Sequence, residues 1–109
     1  MQIPIQVTFK GVPVDDEVER LCNEQAEALE KFGPIVSCRV VIDKPHQHRR
    51  RGNLYDVRLD IKIPGREIAV SRTPGEHVTS ERAEVAVREA FGEARRQVQD
   101  AIRTRREHA

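Results

Sequence analysis

The 109-residue chain has no tryptophan, one tyrosine and three phenylalanines. So few rings exclude an extended platform on which successive nucleic-acid bases could stack. Cysteine is as scarce: Cys22 and Cys38 stand alone, with no CxxC pair. Each falls on the predicted inner face of its element, so both are expected to be small, inert core thiols. No apolar run is long enough to span a bilayer, and Met1-Gln2-Ile3-Pro4 does not begin a signal peptide. A cytoplasmic protein that engages no membrane is the expectation. The sequence also lacks a glycine-rich phosphate cradle, a Ser-His-Asp or Cys-His arrangement, and any motif pairing an acid with a base. Asp56 and Asp60 share a strand face, but Arg58 lies between them and all three read as solvated. No enzymatic activity, cofactor or small-molecule substrate is expected.

Charge is what the chain has in quantity. Charged residues make up 34% and apolar residues 38%, a balance that would suit disorder if the apolar positions were scattered. They are periodic instead, which predicts a thin two-layer fold. There is no repeat, low-complexity tract or linker, so residues 1–109 are expected to form a single domain, with a polar tail fraying from about residue 104. The net charge of +1 hides an asymmetry. Residues 1–42 carry four basic and seven acidic side chains, and residues 43–109 carry fifteen and eleven. Any attraction to nucleic acid must therefore come from local patches.

The periodicity changes along the chain. Residues 2–10 alternate, with Ile3, Ile5, Val7 and Phe9 on one side, and Pro4 places this strand at a sheet edge or else faces away from its partner strand. Residues 15–32 take helical spacing through Val14, Val18, Leu21, Cys22, Gln25, Leu29 and Phe32. Asp16 and Glu19 resemble a capping box, and Gly33-Pro34 stops the helix. Three strands follow: one with Val36, Cys38, Val40 and Ile42 inward, one running from Tyr55 to Ile63, and a shorter one with Ile68 and Val70 inward. Pro64-Gly65 marks the turn between the last two. Thr79 or Ser80 can cap a final helix with Val87, Phe91, Ala94, Val98 and Ala101 or Ile102 on its core face. The predicted class is α+β in the order β-α-β-β-β-α, a four-stranded sheet with both helices on one face and the other face wet.

Two basic features point to phosphate. Lys44, His46, His48, Arg49, Arg50 and Arg51 sit between two predicted strands, at the tip of a hairpin where donors can approach phosphate oxygens. His46 and His48 could also chelate a metal, but no third ligand is spaced to join them and the adjacent arginines would repel a cation, so no metal site is expected. Their imidazoles would strengthen anion binding in acid. On the final helix, Arg88, Arg95 and Arg106 fall along one line with Arg96 and Arg103 beside it, while Glu89, Glu93 and Asp100 form a separate acidic line. The alternative is an ordinary salt-bridged helix surface, with Asp100 reaching Arg103 or Arg96 and Glu89 reaching Arg96. The first helix is acidic on its solvent side and is a poor candidate to face phosphate.

Ser37-Cys38-Arg39-Val40-Val41, Gly52-Asn53-Leu54-Tyr55-Asp56-Val57-Arg58-Leu59-Asp60, Pro64-Gly65, Val85-Ala86-Val87-Arg88-Glu89-Ala90-Phe91 and Arg95-Arg96-Gln97, in this element order, resemble the hibernation-promoting factor and ribosome-associated inhibitor (sigma-modulation protein) family. The likeness is to its short single-domain form with a His/Arg-rich central hairpin. The resemblance implies a ribosome-associated translation inhibitor that binds small-subunit ribosomal RNA near the decoding region, covers the mRNA and tRNA channel, and holds idle ribosomes silent. It implies RNA contacts through basic residues of the helices and nearby loops: Arg96 above all, where Arg-Gln-apolar recurs, then Arg88, Arg95 and Arg103. Glu93 and Asp100 depart from the family, whose well-known members are basic at such positions. The C-terminal domain by which long members pair ribosomes has no counterpart in these residues, so a monomer is expected and pairing would need another factor. The competing readings are a general double-stranded RNA-binding module and a metal-responsive interaction domain using the histidine loop.

Overall fold

The structure, a computed structural model, describes residues 4–43, 55–72 and 82–107. The elements run β1 (Ile5–Lys10), α1 (Asp16–Leu29), β2 (Ser37–Asp43), β3 (Asp56–Ile63), β4 (Arg66–Arg72) and α2 (Ala83–Glu107). This is the α+β order that the alternation of periods predicts. The sheet order is β1-β2-β3-β4, with β1 parallel to β2 and the other two pairs antiparallel. β1 is an edge strand, one of the two arrangements that Pro4 allows, and the Pro4 carbonyl accepts a bond from the Cys38 N–H at 3.0 Å.

One face of the sheet is apolar because strand period two places Cys38, Val40 and Ile42 of β2 beside Val57, Leu59, Ile61 and Ile63 of β3, and Ile68 and Val70 of β4. Both helices cover that face: α1 packs over β1 and α2 over β3 and β4. α2 contributes Ala86, Val87, Ala90, Phe91, Ala94, Val98 and Ala101, all buried, while Ile102 is half-buried. The small alanines let α2 lie close to the sheet, and Phe91 fills the largest space among them.

The ends of α1 differ from the sequence expectation. Its N-cap is Asp15, not Asp16: Asp15 has extended backbone angles, and its Oδ1 accepts from the Glu17 and Val18 N–H groups at 3.0 and 3.3 Å. Such a cap contributes about 1 kcal/mol. Val14 therefore precedes the helix and is 69% exposed, outside the core face to which its spacing assigned it. Beyond Leu29 the chain tightens through i to i−3 bonds from Glu30, Lys31, Phe32 and Gly33. Gly33, at φ +155°, then passes against Ile102 of α2, and a Cβ there would lie 2.6 Å from the Ile102 Cδ1.

Two strand positions also depart from simple alternation. Val36 lies just before β2 and is 46% exposed. Asp56, on the polar face opposite Val57, is buried rather than solvated. It pairs in register with Asp43, whose other neighbour is Lys10.

Candidate nucleic-acid interface

The strand pairings bring Lys10, Asp43, Asp56 and Arg72 to one end of the sheet. Residues 44–54 leave and re-enter at that end, so this is where Lys44, His46, His48, Arg49, Arg50 and Arg51 attach, although these six lie outside the described residues. Both helices also start there, because α1 follows β1 and α2 follows β4. They run side by side in one direction, with Ala83 near Phe9 and Tyr55 at the start and Ile102 against Gly33 at the far end. The segment linking β2 to β3 thus attaches at the sheet end where α2 begins, and of the four α2 arginines Arg88 stands nearest that end.

On α2, Arg88, Arg95, Arg96 and Arg103 are all exposed. They extend over about 22 Å at 1.5 Å per residue. The helix separates them into two kinds. Arg96 pairs with Glu93 and Arg103 with Asp100, the latter at 3.0 Å, both three residues apart. Glu93 also accepts from the Gln97 Nε2 at 3.0 Å. Glu93 and Asp100 therefore do not stand apart from the arginines; they hold the two nearer the C-terminus. Among the described residues Arg88 and Arg95 make no ion pair, so they can meet a phosphate without first giving up a carboxylate.

Arg88 borders a groove of about 400 Å³ between the helices, lined also by Asp15, Glu17, Arg20, Glu24 and Glu84. Along α1, Asp15, Asp16, Glu17, Glu24, Glu27 and Glu30 are exposed against Arg20 and Lys31. The helix layer is consequently split, acidic over β1 and basic over β3 and β4. This agrees with the reading of α1 as a surface that phosphate avoids.

The other candidate chemistry falls only partly within the described residues. They contain no group of three or more metal-binding side chains, and the four histidines lie outside them. Cys22 and Cys38 are buried free thiols. Burial pushes Cys22 up to about 12, with Cys38 and Glu19 adding to the effect, and burial with Asp60 does the same to Cys38. Thiols held neutral in this way are poor nucleophiles. No described helix is long and apolar enough to cross a membrane.

The chain matches, over residues 5–106, the family described as Sigma 54 modulation protein / S30EA ribosomal protein. No curated protein matches it. Among solved structures, it is similar to the N-terminal domain of Thermus thermophilus Protein Y at 14% identity and a TM-score of 0.69, covering 92% of this chain and 98% of that one. It is also similar to a ribosomal subunit interface protein from Coxiella burnetii at 16% identity and a TM-score of 0.69, covering 91% and 97% respectively. At these identities the likeness is one of fold.

Proposed function

We propose that this chain, which belongs to the Sigma 54 modulation protein / S30EA ribosomal protein family, is a non-enzymatic, cytoplasmic translation inhibitor that binds small-subunit ribosomal RNA near the decoding region as a monomer. The observation that carries the reading is α2: four exposed arginines, two of them without carboxylate partners among the described residues, on a helix that starts at the sheet end where the 44–54 segment attaches. Guanidinium groups in this setting bind phosphate oxygens bidentately. Several phosphate contacts of that kind give an affinity that falls steeply with salt. The family match and the ribosomal setting of the Coxiella burnetii neighbour support the same partner.

In this reading the RNA-binding residues are Lys44, His46, His48, Arg49, Arg50 and Arg51 of the connecting segment with Arg88, Arg95, Arg96 and Arg103 of α2. Sedimentation with purified small subunits tests it. Co-migration at low salt that is lost at high salt is expected. Protein remaining at the top of a low-salt gradient would sink the proposal, and equal affinity for arbitrary duplex RNA would transfer it to a general RNA-binding module.

A further inference from the structure

One residue of α2 weakens the fold without serving its packing. Gly92 lies in the interior of the 25-residue helix. A glycine there lowers the folded-to-unfolded ratio about fivefold relative to alanine, because its backbone has more freedom to lose. Its backbone is ordinary helix, since positive φ is confined to Gly11, Gly33 and Gly65 among the described residues. Nor does a neighbouring element press on it, as Ile102 presses on Gly33. Among the described residues, a Cβ at Gly92 would meet nothing within 4 Å beyond its own stretch of helix. Ala90, Phe91 and Ala94 take the core side around it and are buried. Alanine would therefore fit and stabilise. The notch that glycine leaves on the outer side of α2 serves something other than the fold.

The surroundings of the notch are basic. The side chains that flank a helix position lie three and four residues away, and for Gly92 these are Arg88, Glu89, Arg95 and Arg96. The three arginines are exposed and Glu89 is half-buried. Arg95 makes no ion pair among the described residues, Arg96 is held by Glu93, and Arg88 shares its groove with carboxylates. We propose that the notch at Gly92 admits one backbone phosphate of a bound RNA to the surface of α2, with Arg95 as its first ligand and Arg88 and Arg96 closing on it. The inference rests on the function proposed above and names its point of closest approach. Charge argues against a second copy of α2 as occupant, because its arginines would meet these three. Shape argues against a free anion, because a convex helix surface leaves most of such an ion in water. A phosphate within a polymer is held through its neighbours as well, and Arg103 lies about 16 Å further along the same helix. Without a Cβ at the centre, phosphate oxygens can lie against the Cα hydrogens, and the guanidiniums reach them past no intervening side chain.

The test sets stability against binding in the same variants of the full-length protein. Gly92→Ala should raise the folded-to-unfolded ratio about fivefold in urea unfolding, while weakening binding to purified small ribosomal subunits about threefold. Gly92→Leu, whose side chain fills the notch, should weaken binding about tenfold to a hundredfold, the loss of one charge-assisted contact. Its salt slope should flatten by about one unit. Ala28→Leu, an equal enlargement on the exposed side of α1, should leave affinity and slope at their wild-type values. A Gly92→Ala protein less stable than wild type would show that the glycine is kept for packing and would overturn the inference. A folded Gly92→Leu protein with wild-type affinity and slope would overturn it too, and ribosome binding would stand. So would a wild-type dimer that Gly92→Leu dissolves, which would give the notch to a helix partner. Wild-type protein that binds no subunits even at low salt would remove the functional reading itself, and the role of the notch with it.

Discussion

Neutralising Glu93 and Asp100 should make this protein bind RNA more tightly, even though it removes two ion pairs from the folded chain. In Glu93→Gln with Asp100→Asn, the side chains keep their size, and the amide introduced at position 93 retains an oxygen to accept from the Gln97 side chain. The pairs are exposed, with side-chain exposures of 71% and 23% for Arg96 and Glu93 and 69% and 61% for Arg103 and Asp100. Such helix pairs contribute about 0.2–0.5 kcal/mol each, so stability should fall by no more than about 1 kcal/mol. The effect on binding is larger. A carboxylate about 8 Å from a phosphate repels it by roughly 0.5 kcal/mol in water before screening. The two substitutions together also add the equivalent of about one guanidinium–phosphate contact. Together these predict affinity for small subunits about five- to tenfold higher at about 50 mM salt, shrinking to within about twofold at about 300 mM, with a slope steeper by about one unit. Equilibrium binding across a salt series measures both quantities. Arg88→Ala with Arg95→Ala, measured in parallel, should weaken binding and flatten the slope. Unchanged affinity and slope in the folded Glu93→Gln, Asp100→Asn protein would refute the assignment of α2 to the RNA-facing edge.

Two further outcomes concern the scaffold. Cys22 and Cys38 sit at about 12 in the folded chain, against about 8.5 for an unfolded thiol. The stability that comes from keeping them neutral is therefore complete below pH ~8.5 and is lost as pH rises toward 12, by at most about 1.4 kcal/mol per pH unit for each thiol. Urea unfolding from pH 7 to 10.5 should show a steeper decline for wild type than for Cys22→Ala with Cys38→Ala, and parallel declines would contradict the burial argument. Gly33→Ala should destabilise by about 1–3 kcal/mol, since its Cβ meets the Ile102 Cδ1 at 2.6 Å and the backbone is at φ +155°. Ile102→Val, which deletes that methyl, should recover part of the loss in the double variant, and strict additivity would show that the contact is not the cause.

The order and type of every element were legible because each buries a face whose period the sequence displays. Cys38, Val40 and Ile42 alternate, while Val87, Phe91, Ala94 and Val98 recur at threes and fours. The misses share a different logic. Val14 continued the helical spacing of α1, but spacing does not say where a helix begins. That was decided between two adjacent aspartates by the extended backbone at Asp15. Asp56 followed the alternation of β3 and was still buried, because burial on a sheet's polar face depends on what lies over it, which a strand pattern does not encode. On α2, separate lines of acids and arginines were favoured over a salt-bridged surface, and the Asp100–Arg103 pair named in that alternative is the one that forms. Residues three apart are only about 60° apart around the helix, so Glu93 and Asp100 were neighbours of Arg96 and Arg103 and paired with them.

The split of the helix layer constrains how the proposed complex forms. α1 carries six exposed carboxylates over β1, and α2 carries its arginines over β3 and β4. Laying both helices flat on RNA would bring those carboxylates against phosphates. Water and salt reduce each repulsion, but all six oppose the attraction of the exposed arginines. The lower-energy pose under the proposed function tilts the molecule onto its α2 edge. α1 then faces away from the RNA, and the sheet end bearing the 44–54 connection leads. In that pose Arg95 is the phosphate ligand available without rearrangement, Arg88 competes with the carboxylates that share its groove, and Arg96 and Arg103 join once their carboxylates are displaced. The order of engagement follows from which guanidiniums the helix has already paired, and net charge alone would not have revealed it.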